Sequence, residues 1–293
     1  MRQKSTEATT GVRTQTARLG EFTVSAFVER KFRLDGGTMF GIIPRVMWEK
    51  LISPDEKNMV AMQANVFLVV TPDNKKVLLD AGLGDALSDF DRKMYSVETP
   101  SNMTAGLAAL GTSPEEIDHV VLSHLHTDHA NGIYRGDPEQ PKLLFPRAVH
   151  VVQKDEWEDA NHPNERTAAV YYPDRLTVLE KAGQLQLVCG TEEILPGITV
   201  EQTGGHTRGH QGVRIESATE TFVYYADIFP SRFHIRMPFV ASVDTHPLDT
   251  MQIKKRLLEF CREKNAIIGF DHDIDFLMGR LIEGKKWLDV GPA

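Results

Sequence analysis

The sequence predicts one layered α/β domain. Strand-like segments fall into two groups, helical segments lie between and after them, and neither an internal repeat nor a Pro/Ser-rich linker divides the chain. With 41% hydrophobic and 25% charged residues over 293 positions, the composition is that of an ordinary globule. A formal charge of −8 argues against nucleic-acid binding, which relies on clustered Lys and Arg.

The elements are read in order. Residues 1–18 are rich in Thr, Gln, Arg and Lys and lack an apolar run, so they are expected to form a polar tail ahead of a domain over 19–293. No stretch reaches the roughly 20 apolar residues needed to span a bilayer. Two cysteines, Cys189 and Cys261, cannot build a disulfide framework and are read as buried thiols; a cytoplasmic location is expected. Glu21 to Val28 alternates like a half-buried strand. Asn65–Val70 and Lys75–Asp80 then flank the turn Thr71-Pro72-Asp73-Asn74 as a hairpin. The Gly-punctuated apolar stretch from Asp35 to Trp48 reads as loop. A helix is expected from Met103 to Leu110, and Ser113-Pro114-Glu115-Glu116 as the cap and first turn of another. Asp118–Ser123 reads as a buried strand. Further strands are expected at 148–152, 185–189, 198–202, 212–216, 221–226 and 267–270, with helices at 153–160, 173–182 and 249–263. The charged stretch from Lys254 to Lys264 reads as a solvated helix face.

The chemistry concentrates directly after the strand that ends at Ser123, in His124-Leu125-His126-Thr127-Asp128-His129. Imidazole and carboxylate are natural ligands for a borderline divalent ion such as zinc. In extended backbone, residues two apart point the same way, so His124 and His126 can reach one ion. Asp128 and His129, at the turn into a helix, can reach a neighbouring one. Further candidates stand at strand ends: Gly204-Gly205-His206-Thr207-Arg208-Gly209-His210, the acid of Tyr224-Tyr225-Ala226-Asp227, and Gly269-Phe270-Asp271-His272. His210 is read as a structural hydrogen-bonder, and His119, His150, His162 and His246 as having no catalytic role.

These motifs, together with the Asp80-Ala81-Gly82 turn, resemble the metallo-β-lactamase superfamily in order and spacing, from about Phe22 to Gly284. The resemblance implies a four-layer αββα sandwich with two divalent metal ions, zinc first among zinc, iron, manganese and cobalt. It implies that His124, His126 and His206 hold one ion, that Asp128, His129 and His272 hold the other, and that Asp227 bridges both. It also implies catalysis by a hydroxide bridging the ions, with Asp128 orienting or shuttling a proton and Asp80 fixing a ligand imidazole.

Within the family, the stretch from Asp35 to Pro44 continuing to Leu51, Asn164-Glu165-Arg166, and Ala226 to Pro230 resemble the quorum-quenching lactonase branch, which lies close to the methyl parathion hydrolases. That implies opening of a lactone, foremost an acyl homoserine lactone, in an apolar pocket walled by Phe40 and the stretch Phe229–Phe239. One departure stands out: where the best-known lactonases place a tyrosine three residues after the bridging acid, this chain has Pro230, with His234 the nearest replacement donor. The departure keeps a phosphotriester or aryl ester hydrolase in view as the alternative. A non-catalytic metal-containing ligand-binding protein is the alternative of another class. The partners expected are a small molecule with an apolar part and, from the polar arm and apolar loop, a second copy of the chain; neither nucleic acid nor membrane is expected.

Overall fold

The computed structural model describes residues 11–97, 99–284 and 288–293. The first half of the chain builds β1 (Thr14–Leu19), β2 (Phe22–Asp35), helices α1 (Gly36–Phe40) and α2 (Arg45–Trp48), β3 (Met59–Val70), β4 (Lys76–Leu79), α3 (Asp89–Met94), α4 (Met103–Ala109) and β5 (His119–Val121). Then come α5 (Thr127–Ala130), the short pair β6 (Tyr134–Arg135) and β7 (Lys142–Leu143), β8 (Val149–Gln153), α6 (Lys154–Asn161), α7 (Pro173–Lys181) and β9 (Leu185–Val188). The second half adds β10 (Thr191–Leu195), β11 (Ile198–Gln202), β12 (Gln211–Glu216), β13 (Thr221–Tyr224), α8 (Pro247–Glu263), β14 (Ile267–Gly269), β15 (Met278–Glu283) and β16 (Leu288–Pro292).

Two seven-stranded sheets result, in the orders β1-β2-β3-β4-β5-β8-β9 and β10-β11-β12-β13-β14-β15-β16. The first is antiparallel through β4 and parallel from β4 to β9; the second is antiparallel except for the β13–β14 pair. Side-chain alternation assigns the layers. On β3, Phe67 and Val69 join the core between the sheets, where they meet Val200, Val213, Phe222 and Tyr224. Their neighbours Val66 and Leu68 face outward, onto Leu107 of α4, Ala160 of α6 and Leu176 and Leu179 of α7. On the far side, Val223 and Ile268 pack against Leu257, Leu258 and Cys261 of α8. Helix, sheet, sheet, helix is therefore the order of layers, the αββα sandwich expected.

Several expectations need correction. The polar tail does not extend to residue 18: Thr14–Leu19 pairs with β2, Thr14 opposite Phe27 and Leu19 opposite Phe22, and Ala17 and Leu19 are buried. Its alternation is carried by only two apolar side chains among Thr, Gln and Arg, too thin a signal to read as a strand. Residues 1–10 lie outside the described residues. The stretch 35–48 is not loop: Asp35 caps α1 by accepting the Gly37 N–H at 2.7 Å, and the Trp48 ring lies where a Cβ on Gly36 would sit. Pro114–Glu116 makes a single 3₁₀ turn without a side-chain cap from Ser113. Cys189 is exposed, whereas Cys261 is buried, its thiol pushed up to about 12 by burial. Lys254 does not face solvent: it is fully buried, and Nζ donates to the carbonyls of Arg236 at 2.8 Å and Phe239 at 2.7 Å, which are otherwise beyond helix or sheet. Among the described residues, no helix is long and apolar enough to cross a membrane.

Candidate metal centre and cavity

Strand β5 of the first sheet and strands β11, β13 and β14 of the second are each followed by a turn that carries polar residues of the cluster. Asp80 organises the first of these turns. Its Oδ1 accepts the Ser123 N–H at 2.6 Å, and its Oδ2 accepts the hydroxyls of Ser123 at 2.7 Å and Tyr224 at 2.6 Å and faces His129 Nδ1 at 2.8 Å. Close backbone approach holds this turn to α5. The Ala81 N–H donates to the His129 carbonyl at 2.8 Å, and a Cβ on Gly132 would lie 1.8 Å from the Ala81 oxygen, so only glycine fits there.

Three more imidazoles are fixed in the same way, by a partner on one ring nitrogen that leaves the other aimed inward. His124 Nδ1 pairs with the Ser123 hydroxyl at 3.0 Å, and His206 Nδ1 with Asp244 Oδ1 at 2.8 Å. Asp244 is itself held by the Thr250 hydroxyl at 2.6 Å. His272 Nδ1 faces the Gln63 carbonyl at 2.9 Å. Asp244 and Gln63 carry no sequence signal; each is supplied by a separate element across the fold.

Two groups converge. His124, His126, His206 and Asp227 form one; His129, Asp227, Asp271 and His272 form the other; within each, the ligand atoms lie within 4.8 Å of one another. Asp227 is common to both. Its Oδ2 stands 3.0 Å from His206 Nε2, 3.8 Å from His124 Nε2 and 3.6 Å from His129 Nε2, and its Oδ1 stands 3.5 Å from His272 Nε2. Asp128 sits at the second group, with Oδ2 3.6 Å from His272 Nε2 and Oδ1 4.0 Å from His129 Nε2. All seven residues expected as ligands are thus brought together. Asp271 joins them; its only sequence signal was its place in the Gly-Phe-Asp-His run. His210 stays outside both groups, its Nδ1 on the Thr203 hydroxyl at 2.6 Å.

The donor set fits a pair of divalent ions. His206 Nε2 lies 3.1 Å from His126 Nδ1, and His272 Nε2 lies 3.3 Å from His129 Nε2, so lone pairs oppose each other unless a proton or cation lies between. His124 Nε2, His126 Nε2 and Asp227 Oδ1 are buried without a hydrogen-bond partner. Burial, reinforced by neighbouring imidazoles, holds His124 and His126 well below the usual range, leaving both as neutral donors. Burial also opposes protonation of His206, but Asp227 and Asp244 override it and push that group up to about 10.

A cavity of about 380 Å³ opens onto the cluster. His126, Asp128, Asp227 and His272 line it on the cluster side; Leu34, Met39, Met59, Met94, Val170 and Val243 give it apolar walls. Arg166, whose Nη2 donates to the Ser242 carbonyl at 2.7 Å, also lines it. Tyr95, missed by sequence reasoning, lines the same cavity and donates its hydroxyl to Asp128 Oδ1 at 3.4 Å.

The three residues expected to contact substrate do not line this cavity. Phe40 is 2% exposed and stacks between Trp48 and His234, at 5.2 and 5.3 Å between centroids. His234 spends both nitrogens, Nε2 on the Met39 carbonyl at 2.8 Å and Nδ1 on the Ser231 hydroxyl at 2.8 Å, so it is not a free donor. Phe229 packs in the core beneath α8, against Tyr225 at 5.9 Å. These side chains support the wall from behind; Met39, beside Phe40, is the one that reaches the cavity.

A sequence profile of the metallo-beta-lactamase superfamily matches residues 59–272. An N-acyl homoserine lactonase from a Bacillus species is 29% identical over 172 residues, which cover 58% of this chain and 61% of that protein. The match therefore spans about three-fifths of that relative's length. The crystal structure of a probable metal-dependent hydrolase from Staphylococcus aureus superposes with a TM-score of 0.84 at 29% identity, covering 90% of this chain and 94% of that one. AidC, a dizinc quorum-quenching lactonase in complex with a product, superposes with a TM-score of 0.76 at 22% identity over 96% of this chain and 98% of its own, a likeness of fold. With its αββα layers, its two histidine–carboxylate groups and the matched profile, this chain belongs to the metallo-beta-lactamase superfamily.

Proposed function

We propose that the protein is a dinuclear metal-dependent hydrolase that opens lactone rings, with acyl homoserine lactones as its substrate class. The observation that carries the reading is the sharing of Asp227 between two ligand groups that line an apolar-walled cavity. The Bacillus relative, an N-acyl homoserine lactonase, supports the substrate class.

Divalent ions held by the two groups, zinc being the expected pair, would supply an acidified water and Lewis-acid polarisation of a carbonyl. The protein's part is to place and protonate. Asp227 fixes the separation of the two groups. Asp128, lining the cavity, accepts the proton released as water adds to the lactone carbonyl carbon. When the ring C–O bond breaks, the same carboxyl returns that proton to the leaving oxygen, giving the open hydroxy acid. Tyr95 donates its one hydroxyl proton to Asp128 before substrate binds and turns it to the substrate carbonyl when substrate enters. Pro230 cannot do this: its carbonyl accepts the His272 N–H at 2.9 Å and so serves to place the ligand. Met39, Met59, Met94 and Val170 offer an unbranched acyl chain an apolar surface of adaptable shape. Exposed Ile42, Val46 and Met47, around α2, would be covered in a homodimer.

A second reading, hydrolysis of phosphotriesters or aryl esters at the same centre, is favoured by Pro230 at the position where the lactonase tyrosine is expected. The test compares kcat/KM for a long-chain acyl homoserine lactone and an activated aryl phosphotriester on one metal-quantified preparation, with Asp128→Ala as background. A lactone value above about 10⁴ M⁻¹s⁻¹ with a far lower triester value is expected. The reverse order would transfer the protein to the second reading, and two values at background would sink both.

A further inference from the structure

We infer that Asp271 is a direct ligand of the second metal position, which makes that position oxygen-rich beside a nitrogen-rich first one. The inference rests on the two-ion reading but not on any lactone. It adds a carboxylate to the ligand set that the family resemblance implies, which ends with His272.

Asp271 Oδ2 lies 3.4 Å from His272 Nε2 and 3.8 Å from His129 Nε2, within the second group. The residue is 2% exposed and does not line the substrate cavity, so it has no access to the reacting atoms. Both of its carboxylate oxygens are buried without a hydrogen-bond partner. A buried carboxyl without partners is costly, so a structural role would call for a nearby donor or cation. The nearby donors are spent elsewhere. Asn65 Nδ2 donates to the carbonyls of Phe270 at 2.9 Å and Asp273 at 3.0 Å, and Arg232 pairs with the carboxylates of Asp273 at 2.7 Å and Asp275 at 2.5 Å. The Asp271 backbone is meanwhile pinned, its carbonyl accepting the Asn65 N–H at 2.7 Å. Among the described residues, what remains within reach of the carboxylate is the second group itself: Asp227, an acid that can take only a shared proton from it, and the two imidazoles that face the second metal position.

The consequence is an asymmetric centre. The first group offers three imidazoles and the shared Asp227; the second offers two imidazoles, Asp227 and Asp271, with Asp128 alongside. Imidazoles suit zinc, and carboxylates suit harder ions such as manganese. The second position should therefore take the harder ion of a mixed pair.

Metal-stripped wild type and Asp271→Asn are titrated with Zn²⁺ and with Mn²⁺ against a competing chelator, and bound metal is counted by mass spectrometry. The wild type is expected to bind two ions and, offered both metals, to take one zinc and one manganese. Asp271→Asn should keep one tight zinc and bind the second ion at least about tenfold more weakly, with the six-line spectrum of free Mn²⁺ persisting in the presence of protein. Equal affinity for both ions in wild type and variant overturns the assignment. Should the variant fail to fold by circular dichroism, the wild-type competition decides: two zinc ions with no manganese uptake overturns it. A wild type that binds no ion at all would bring down the two-ion reading itself, a different result from two ions bound without regard to Asp271.

Discussion

Replacing Asp80 by Asn separates charge from shape at the residue that organises the centre. Asp80 has φ +54°, a left-handed conformation that Asn tolerates, so the backbone need not change. What changes is acceptor capacity. Four contacts converge on the carboxylate, from the Ser123 N–H, the Ser123 hydroxyl, His129 Nδ1 and the Tyr224 hydroxyl. If the amide oxygen faces His129, the amide NH₂ confronts the Ser123 N–H, and a buried donor is left unpaired. If the amide flips, it confronts the His129 Nδ1–H. Either way a charge-assisted bond is lost, about 1.5–3 kcal/mol, and an orphaned buried donor adds about 1–3 kcal/mol. The expected loss of stability is therefore about 2.5–6 kcal/mol, read by urea denaturation of metal-stripped protein. Because Asp80 orients the imidazole of His129, the ion held there should bind about 10–100-fold more weakly in chelator competition. Metal affinity within about twofold of wild type, with less than about 1 kcal/mol lost, would refute the role given to Asp80.

Tyr95→Phe is expected to lower kcat on the lactone by about 10²-fold with bound metal unchanged, the scale of losing one positioned donor; an unchanged kcat would reduce Tyr95 to its packing against Phe32 at 5.7 Å. His150, fully buried on β8, has neither ring nitrogen hydrogen-bonded, and burial pushes it down to about 4 from 6.5. The unfolded chain therefore takes up the proton first as the pH drops. Stability rises with pH across that window and is lost on acidification from 6.5 towards 4, by up to roughly 3 kcal/mol from this group. His150→Phe should flatten that acid limb in urea unfolding at pH 7 and pH 5, and an equally steep limb in the variant would assign the effect elsewhere.

Much of the frame was legible because both sheets carry their pattern locally. Asn65–Val70 and Phe222–Tyr225 announce buried strands by β-branched and aromatic runs, and Tyr224 and Tyr225 do alternate, one into the core between the sheets and one beneath α8. β1, by contrast, is held by hairpin pairing to β2 across the Gly20-Glu21 turn, and backbone pairing leaves little mark on its mostly polar side chains. Lys254 misleads for a related reason: a helix-period reading takes a lysine as solvated, whereas this one is held by two carbonyls from another segment. The lactonase-branch resemblance implies Phe40 and Phe229 as cavity walls. Their rings lie in the core because that burial favours large apolar side chains wherever space allows.

For the centre itself, the His124–His129 run and the strand-end histidines and acids were legible in the sequence, and the family resemblance supplied the grouping, with Asp227 as the shared acid. Tertiary structure alone decided the rest. Asp271 and Asp128 both precede a ligand histidine in the chain, yet only folding places the first behind the cluster and the second on the cavity wall. Asp244, Gln63 and Tyr95 enter from elements far away in sequence, drawn in by packing and by the need of each buried imidazole or carboxylate for a partner. Local chemistry names the ligands; long-range contact sets their orientation, and no order of residues along a chain encodes that by itself.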